Sequence, residues 1–108
     1  MANHTIRLQA KKGAVLPPGA TIHSGDTLLW DNQTDRGRAV IFSVWPFKEV
    51  SESIRVPGKN VDEGAGKGKS KSYVVAPLDV PRTFPYTIDP TINPDDGPPD
   101  EPDLTIQP

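Results

Sequence analysis

The sequence predicts an all-β protein, a Greek-key β-sandwich of seven to eight short strands. The 13 Pro and 9 Gly among 108 residues interrupt helix interiors and favour turns. Short runs that alternate apolar and polar residues recur between these turns, as in strands with one buried face. A sustained 3.6-residue apolar stripe is not visible. At this length we expect one domain over residues 1–108.

Seven segments have the composition and length of strands. They are residues 4–10, 20–23, 27–32, 39–44, 69–76, 83–88 and 104–107. In the third segment Leu28 and Trp30 alternate with polar or exposed positions, so both should face the core, as should Ile22 in the second. Residues 48–56 fit a short helix or an extended segment equally. Loops are predicted over residues 57–68 and over the acidic, Pro-rich residues 89–102.

The segment from Ile22 to Asn32 follows the pattern Ile-x-x-Gly-Asp-Thr-x-x-Trp-x-Asn. This pattern resembles the cupredoxin-like domains, the superfamily of plastocyanin and azurin. Two weaker blocks lie in the order that the resemblance implies. Residues 84–88 match the penultimate strand, which often carries an aromatic-x-Tyr pattern, and residues 103–106 match the closing strand. The resemblance therefore implies a cupredoxin-like sandwich.

The copper ligands of that family are missing from this chain. A blue-copper site uses two imidazoles, a thiolate and a weak axial thioether. The resemblance places one His near the start of the strand after Trp-x-Asn, where this chain has Arg36, Gly37 and Arg38. It places the other ligands around residues 89–102, which contain no His, Cys or Met. We therefore expect no copper, no other cofactor and no blue-copper electron transfer.

Charged residues are unevenly distributed along the chain. Residues 36–71 carry eight Lys and Arg against four Asp and Glu, whereas residues 95–103 carry five acids and no base. By analogy with the copper end of the family, we expect the loop after Asn32 and the acidic loop to share one end of the sandwich. The candidate partner-binding residues are Arg36, Arg38, Asp95, Asp96, Asp100 and Glu101. The expected partner is a protein or another copy of the chain.

Other binding functions were weighed against this one. The acidic loop could supply oxygen ligands to Ca²⁺ or hold a small ligand, which is the alternative function. His4 and His23 could meet across adjacent strands, but two ligands make a weak site, so we predict no metal site. Residues 64–70 have the wrong spacing for a P-loop and precede no helix pattern. The same Lys-rich segment lacks interleaved aromatic residues, which disfavours nucleic acid as a partner.

The remaining features argue against catalysis and against a membrane. No Ser-His-Asp, Cys-His or paired-carboxylate arrangement is apparent, so the chain is not expected to be an enzyme. The sequence shows no signal peptide and no transmembrane run, so a cytoplasmic location and no membrane partner are expected. The sequence thus predicts a non-catalytic, copper-free cupredoxin-like module for binding or self-assembly.

Overall fold

The computed structural model describes residues 2–9, 15–17, 19–89 and 102–108. These residues form eleven strands and no helix, so none of them belongs to a helix that could cross a membrane. The strands are β1 (Asn3–Leu8), β2 (Val15–Leu16), β3 (Gly19–His23), β4 (Thr27–Asn32), β5 (Arg38–Phe42), β6 (Ile54–Val56), β7 (Asp62–Glu63), β8 (Gly66–Lys67), β9 (Tyr73–Val74), β10 (Arg82–Asp89) and β11 (Asp103–Gln107).

The strands form two main sheets and a small hairpin. One sheet has four strands in the order β2-β1-β4-β9, and the other has five in the order β3-β11-β10-β5-β6. The pairs β1–β4 and β3–β11 are parallel, whereas the other pairs are antiparallel. The chain changes sheet from β2 to β3, from β3 to β4, from β4 to β5 and from β9 to β10, and it passes from β6 to β9 through the β7–β8 hairpin. This arrangement confirms the predicted all-β sandwich, and seven of the strands have three or more residues.

The core lies between the two main sheets and centres on Trp30. Its side chain is fully buried, as are those of Ile22 and Leu28, so the predicted core positions are confirmed. The Trp30 ring meets Phe42 and Tyr86 edge-on, with ring centroids 6.0 and 5.7 Å apart. Edge-to-face geometry is the favoured arrangement of aromatic pairs because it brings a positive ring edge to a negative ring face.

The strand predicted over residues 39–44 ends earlier, at Phe42, because of its neighbour β10. Phe42 pairs with Tyr86, so Ser43 would face Pro85. The Tyr86 N–H donates to the Pro102 carbonyl on the β11 side, at 3.0 Å. Backbone N–H directions alternate along a strand, so the Pro85 nitrogen faces β5 and carries no proton to donate. The ladder between β5 and β10 therefore stops at Phe42.

Three other segments differ from the sequence expectations. Residues 48–56 contain no helix and end in β6. The loop predicted over residues 57–68 contains the hairpin β7–β8, whose turn includes Gly64 in a left-handed conformation (φ 59°). The strand predicted over residues 69–76 is reduced to β9 with isolated bridges on either side. The Ser70 hydroxyl accepts the backbone N–H of Trp30 at 3.0 Å, so a side-chain oxygen takes the place of a backbone carbonyl at this position.

Candidate functional site

Four strands begin or end at one end of the sandwich. β4 ends at Asn32, and β5 begins at Arg38 after a short loop. Arg38 pairs with Val56 at the end of β6, and Ala39 pairs with Asp89 at the end of β10. This is the end at which the family resemblance placed the copper ligands. We refer to it below as the arginine end.

The loop between β4 and β5 is held by the Asn32 side chain, which is fully buried. Its Nδ2 donates to the Arg36 carbonyl at 2.7 Å. Its Oδ1 accepts the Thr34 N–H at 2.9 Å and the Thr34 hydroxyl at 2.6 Å. An Asn side chain that bonds the backbone two residues on forms an Asx turn. Asn32 therefore fixes the conformation of the loop that carries Arg36.

The two arginines predicted from the sequence both lie at the arginine end. Arg36 is exposed, whereas Arg38 is half-buried because its partner Val56 occupies a core position. The Arg38 Nε lies 3.5 Å from the Thr34 hydroxyl oxygen. Burial lowers the pKa of Arg38, and the positive charge of Arg36 lowers it further. An arginine remains cationic at neutral pH despite such shifts, so both residues present positive charge.

The acidic half of the predicted site falls outside the described residues. Those four candidates are Asp95, Asp96, Asp100 and Glu101. The chain leaves the described structure after Asp89, at the arginine end, and re-enters it at Pro102. The predicted proximity of the acids to the arginines therefore stays a prediction.

An open cavity of about 340 Å³ lies beside these arginines. It is lined by Gly37, Arg38, Ala39, Ser53, Arg55 and Asp89. Ala39 pairs with Arg55 on one side and with Asp89 on the other, so these three residues share one face of the five-stranded sheet. The sequence analysis did not select Arg55, Ser53 or Asp89. Their convergence depends on the register of β5, β6 and β10, for which the sequence carried no signal.

Arg55 also contacts the β7–β8 hairpin. Its Nε donates to Glu63 Oε2 at 2.8 Å, and its Nη2 lies 3.4 Å from Glu63 Oε1. The hydrogen bond with Glu63 raises the pKa of Arg55. Because both side chains are well exposed, this pair adds little to stability, and it serves mainly to orient the Arg55 guanidinium.

At the opposite end of β4, His4 and His23 both form hydrogen bonds with the carboxylate of Asp26. Asp26 is buried and accepts the Ala2 N–H at 3.0 Å, His4 Nε2 at 2.8 Å and the His23 N–H at 3.1 Å. The bond from Ala2, followed by those from His4 and His23, holds the pKa of Asp26 well below its usual range. His23 contributes its backbone here, so this contact does not join the two imidazoles. The histidine pair that was weighed as a weak metal site is thus not formed by this contact, in which Asp26 accepts one imidazole and one backbone N–H.

The donor set of the chain does not fit a blue-copper centre. The full sequence has no Cys, and its single Met is Met1. Within the described ranges, no group of three His, Cys, Asp or Glu side chains could hold a metal ion. The strand termini at the arginine end carry guanidinium and carboxylate groups, which differ from the soft and imidazole donors that copper requires.

Comparisons with known proteins define the fold. No protein-family model matches the chain, and no curated protein matches it in sequence. Solved structures of amicyanin variants do match. The reduced Cu(I) form of one variant at pH 4 has a TM-score of 0.57 and 16% identity, over 95% of this chain and 80% of that one. A second Cu(I) variant has a TM-score of 0.59 and 16% identity over the same shares. A third, in the reduced state, has a TM-score of 0.58 and 14% identity, again over 95% and 80%.

These likenesses show that the chain has a cupredoxin-like fold. At such low identity they carry no statement about its activity. Together with the donor set described above, they define the class of this molecule as a cupredoxin-like β-sandwich without the copper ligands.

Proposed function

We propose that this chain is a non-catalytic, copper-free cupredoxin-like module that acts by binding a protein partner or another copy of itself. The observation that supports this proposal is the ordered display of Arg36 and Arg38. The buried Asn32 amide fixes the backbone of the loop that carries Arg36 through three hydrogen bonds, and the Arg38 Nε lies 3.5 Å from the Thr34 hydroxyl oxygen of the same network, so this loop is ordered before a partner arrives. Preorganised charge lowers the entropy cost of association.

The proposal of a non-catalytic role rests on how the polar side chains are used. The His4–Asp26 pair is the arrangement most similar to an acid–base dyad among the described residues, and it lies at the end opposite the arginines. Asp26 already accepts three donors. The nearby Ser24 hydroxyl bonds the Gln107 carbonyl and accepts the Leu78 N–H, so it is engaged in structure. A catalytic nucleophile needs a general base beside it that can accept its proton, and the hydrogen bonds of Asp26 and Ser24 favour a structural role for both.

The acidic candidates complete the proposed binding surface. Asp95, Asp96, Asp100 and Glu101 follow Asp89 in the sequence, and Asp89 ends β10 at the arginine end. A surface that carries both signs of charge can pair with a second copy of itself across a two-fold axis, with the cations of each copy against the acids of the other. The same charges could instead receive a different protein, and both cases depend on Arg36 and Arg38.

The proposal is tested by native mass spectrometry and sedimentation velocity over a salt titration from about 0.02 to about 0.5 M. The variants are Arg36→Ala and Arg38→Ala, and the matched control is Arg7→Ala, an exposed arginine on β1 in the other sheet. For a self-assembling chain we expect a dimer that dissociates at high salt and is lost in both site variants. For a chain that is monomeric alone, the assay is repeated as cross-linking to proteins from its host.

The proposal fails if Arg36→Ala and Arg38→Ala match the wild type in assembly and in cross-linked partners at every salt concentration. A Ca²⁺ titration separates it from the alternative function. A Ca²⁺-dependent rise in melting temperature would favour metal binding by the acidic loop, because ligands of the native state stabilise it by mass action.

A further inference from the structure

The cavity at the arginine end has walls of opposite charge. Arg55 lies on β6, Asp89 ends β10, and Ala39 on the intervening strand β5 is paired with both. Because Ala39 and Gly37 are small, the floor of the cavity is low between two charged walls. Ser53 adds a hydroxyl group to the Arg55 side, and Arg38 adds a second guanidinium to the lining.

The two charges are held apart by the sheet. Adjacent strands are about 4.8 Å apart, so two strands separated by a third place their backbones about 10 Å apart. Within the part of the chain that the structure describes, Asp89 forms no ion pair and no side-chain hydrogen bond. Arg55 gives its Nε and one Nη2 contact to Glu63, so its Nη1 group is left to donate to a ligand.

We propose that this cavity binds a small zwitterion, with its carboxylate on Arg55 and Ser53 and its ammonium group on Asp89. Charge-assisted hydrogen bonds of this kind span about 2.8 Å each. They leave room between the two walls for a molecule the size of an amino acid. The cavity volume of about 340 Å³ is at the small end of the range for ligand sites.

The paired walls select against ligands with one charge. A simple anion would bind Arg55 but would be repelled by the Asp89 carboxylate. A simple cation would bind Asp89 but would be repelled by Arg55. Specificity of this type arises from the unfavourable contact as much as from the favourable one.

This inference and the proposed protein-binding function use different main residues. Partner binding was assigned to Arg36 and Arg38, whereas the zwitterion is held by Arg55 and Asp89. Arg38 also lines the cavity, so the variants that distinguish the two proposals are Arg36→Ala on one side and Arg55→Gln and Asp89→Asn on the other.

The test is an NMR chemical-shift titration of the ¹⁵N-labelled protein with zwitterions of increasing charge separation: glycine, β-alanine and 4-aminobutyrate. Acetate and methylammonium serve as ligands with one charge. The variants are Arg55→Gln, Asp89→Asn and Ala39→Leu, the last of which fills the floor, and Arg7→Gln is the control. Except for Ala39, the substituted side chains are exposed, so the variants should keep the wild-type fold. The spectrum of each variant shows whether it is folded.

We expect at least one zwitterion to give saturable shifts at Ala39, Ser53 and Asp89, with millimolar affinity. Each charge variant should weaken binding about tenfold, Ala39→Leu should abolish it, and the Arg7 variant should leave it unchanged. Equal shifts with acetate or methylammonium would overturn the proposal. So would the absence of saturation for all three zwitterions, or equal affinity in the folded Arg55 and Asp89 variants.

Discussion

The Asn32 side chain offers the sharpest test of how the arginine end is built. Asn32→Ala removes one donor to the Arg36 carbonyl and one acceptor shared by two Thr34 donors. Each buried group left without a partner costs about 1–3 kcal/mol. The Thr34 hydroxyl can turn to the Arg36 carbonyl, 3.2 Å away, which recovers part of the loss. We therefore expect Asn32→Ala to lower the free energy of unfolding by about 2–4 kcal/mol.

The measurement is urea unfolding followed by tryptophan fluorescence, with Gln33→Ala as the control. Gln33 is exposed, so its truncation should change stability by less than about 0.5 kcal/mol. Thr34→Val keeps the backbone donor and removes the hydroxyl, so it should cost less than Asn32→Ala. The double variant should lose less than the sum of the two, because one hydrogen bond is shared. A loss below about 1 kcal/mol in Asn32→Ala would refute the assigned network.

Three further predictions concern the core, the opposite end and one glycine. Trp30→Ala should cost about 3–5 kcal/mol in urea unfolding, since the ring is fully buried, and a cost below about 1 kcal/mol would contradict that burial. The lowered pKa of Asp26 stabilises the fold above its unfolded pKa of about 4 and is lost as the pH falls below it. Asp26→Asn should thus flatten the acid limb of melting temperature against pH, and an unchanged limb would exclude this role. Gly68→Ala should cost more than about 1 kcal/mol, because Gly68 has φ 70° and an added Cβ would lie 2.7 Å from the Asn32 carbonyl. Wild-type unfolding of that variant would contradict the reported backbone.

The sequence predicted strands well where one alternating pattern decided them. β4 matches its predicted bounds because Leu28 and Trp30 alternate with less buried residues. Strand ends were missed where a neighbour decided them. Pro85 ends the pairing of β5, although it lies more than forty residues later in the chain, and Ser70 shortens the pairing opposite Trp30 through its side chain. Such effects depend on register, which a single sequence does not display.

Some residues of the candidate site were predicted from the sequence, and others were found only in the structure. Arg36 and Arg38 were predicted because the family resemblance assigned a position to their loop. The Asn-x-Thr pattern at Asn32 carried a turn signal, yet the burial of its amide follows only from the packing of the surrounding strands. Arg55 and Asp89 share a face through Ala39, and no local pattern indicates that pairing.

The arginine end illustrates how a cupredoxin-like fold can keep an ordered loop without copper ligands. A metal orders its loop by drawing several side chains to one ion. Here the buried Asn32 amide orders the loop instead, because it accepts the Thr34 N–H and donates to the Arg36 carbonyl. The loop order is therefore present without any ligand. On the proposed binding function, Asn32→Ala should weaken partner binding by loosening the loop that carries Arg36, although Asn32 itself is buried and cannot touch the partner.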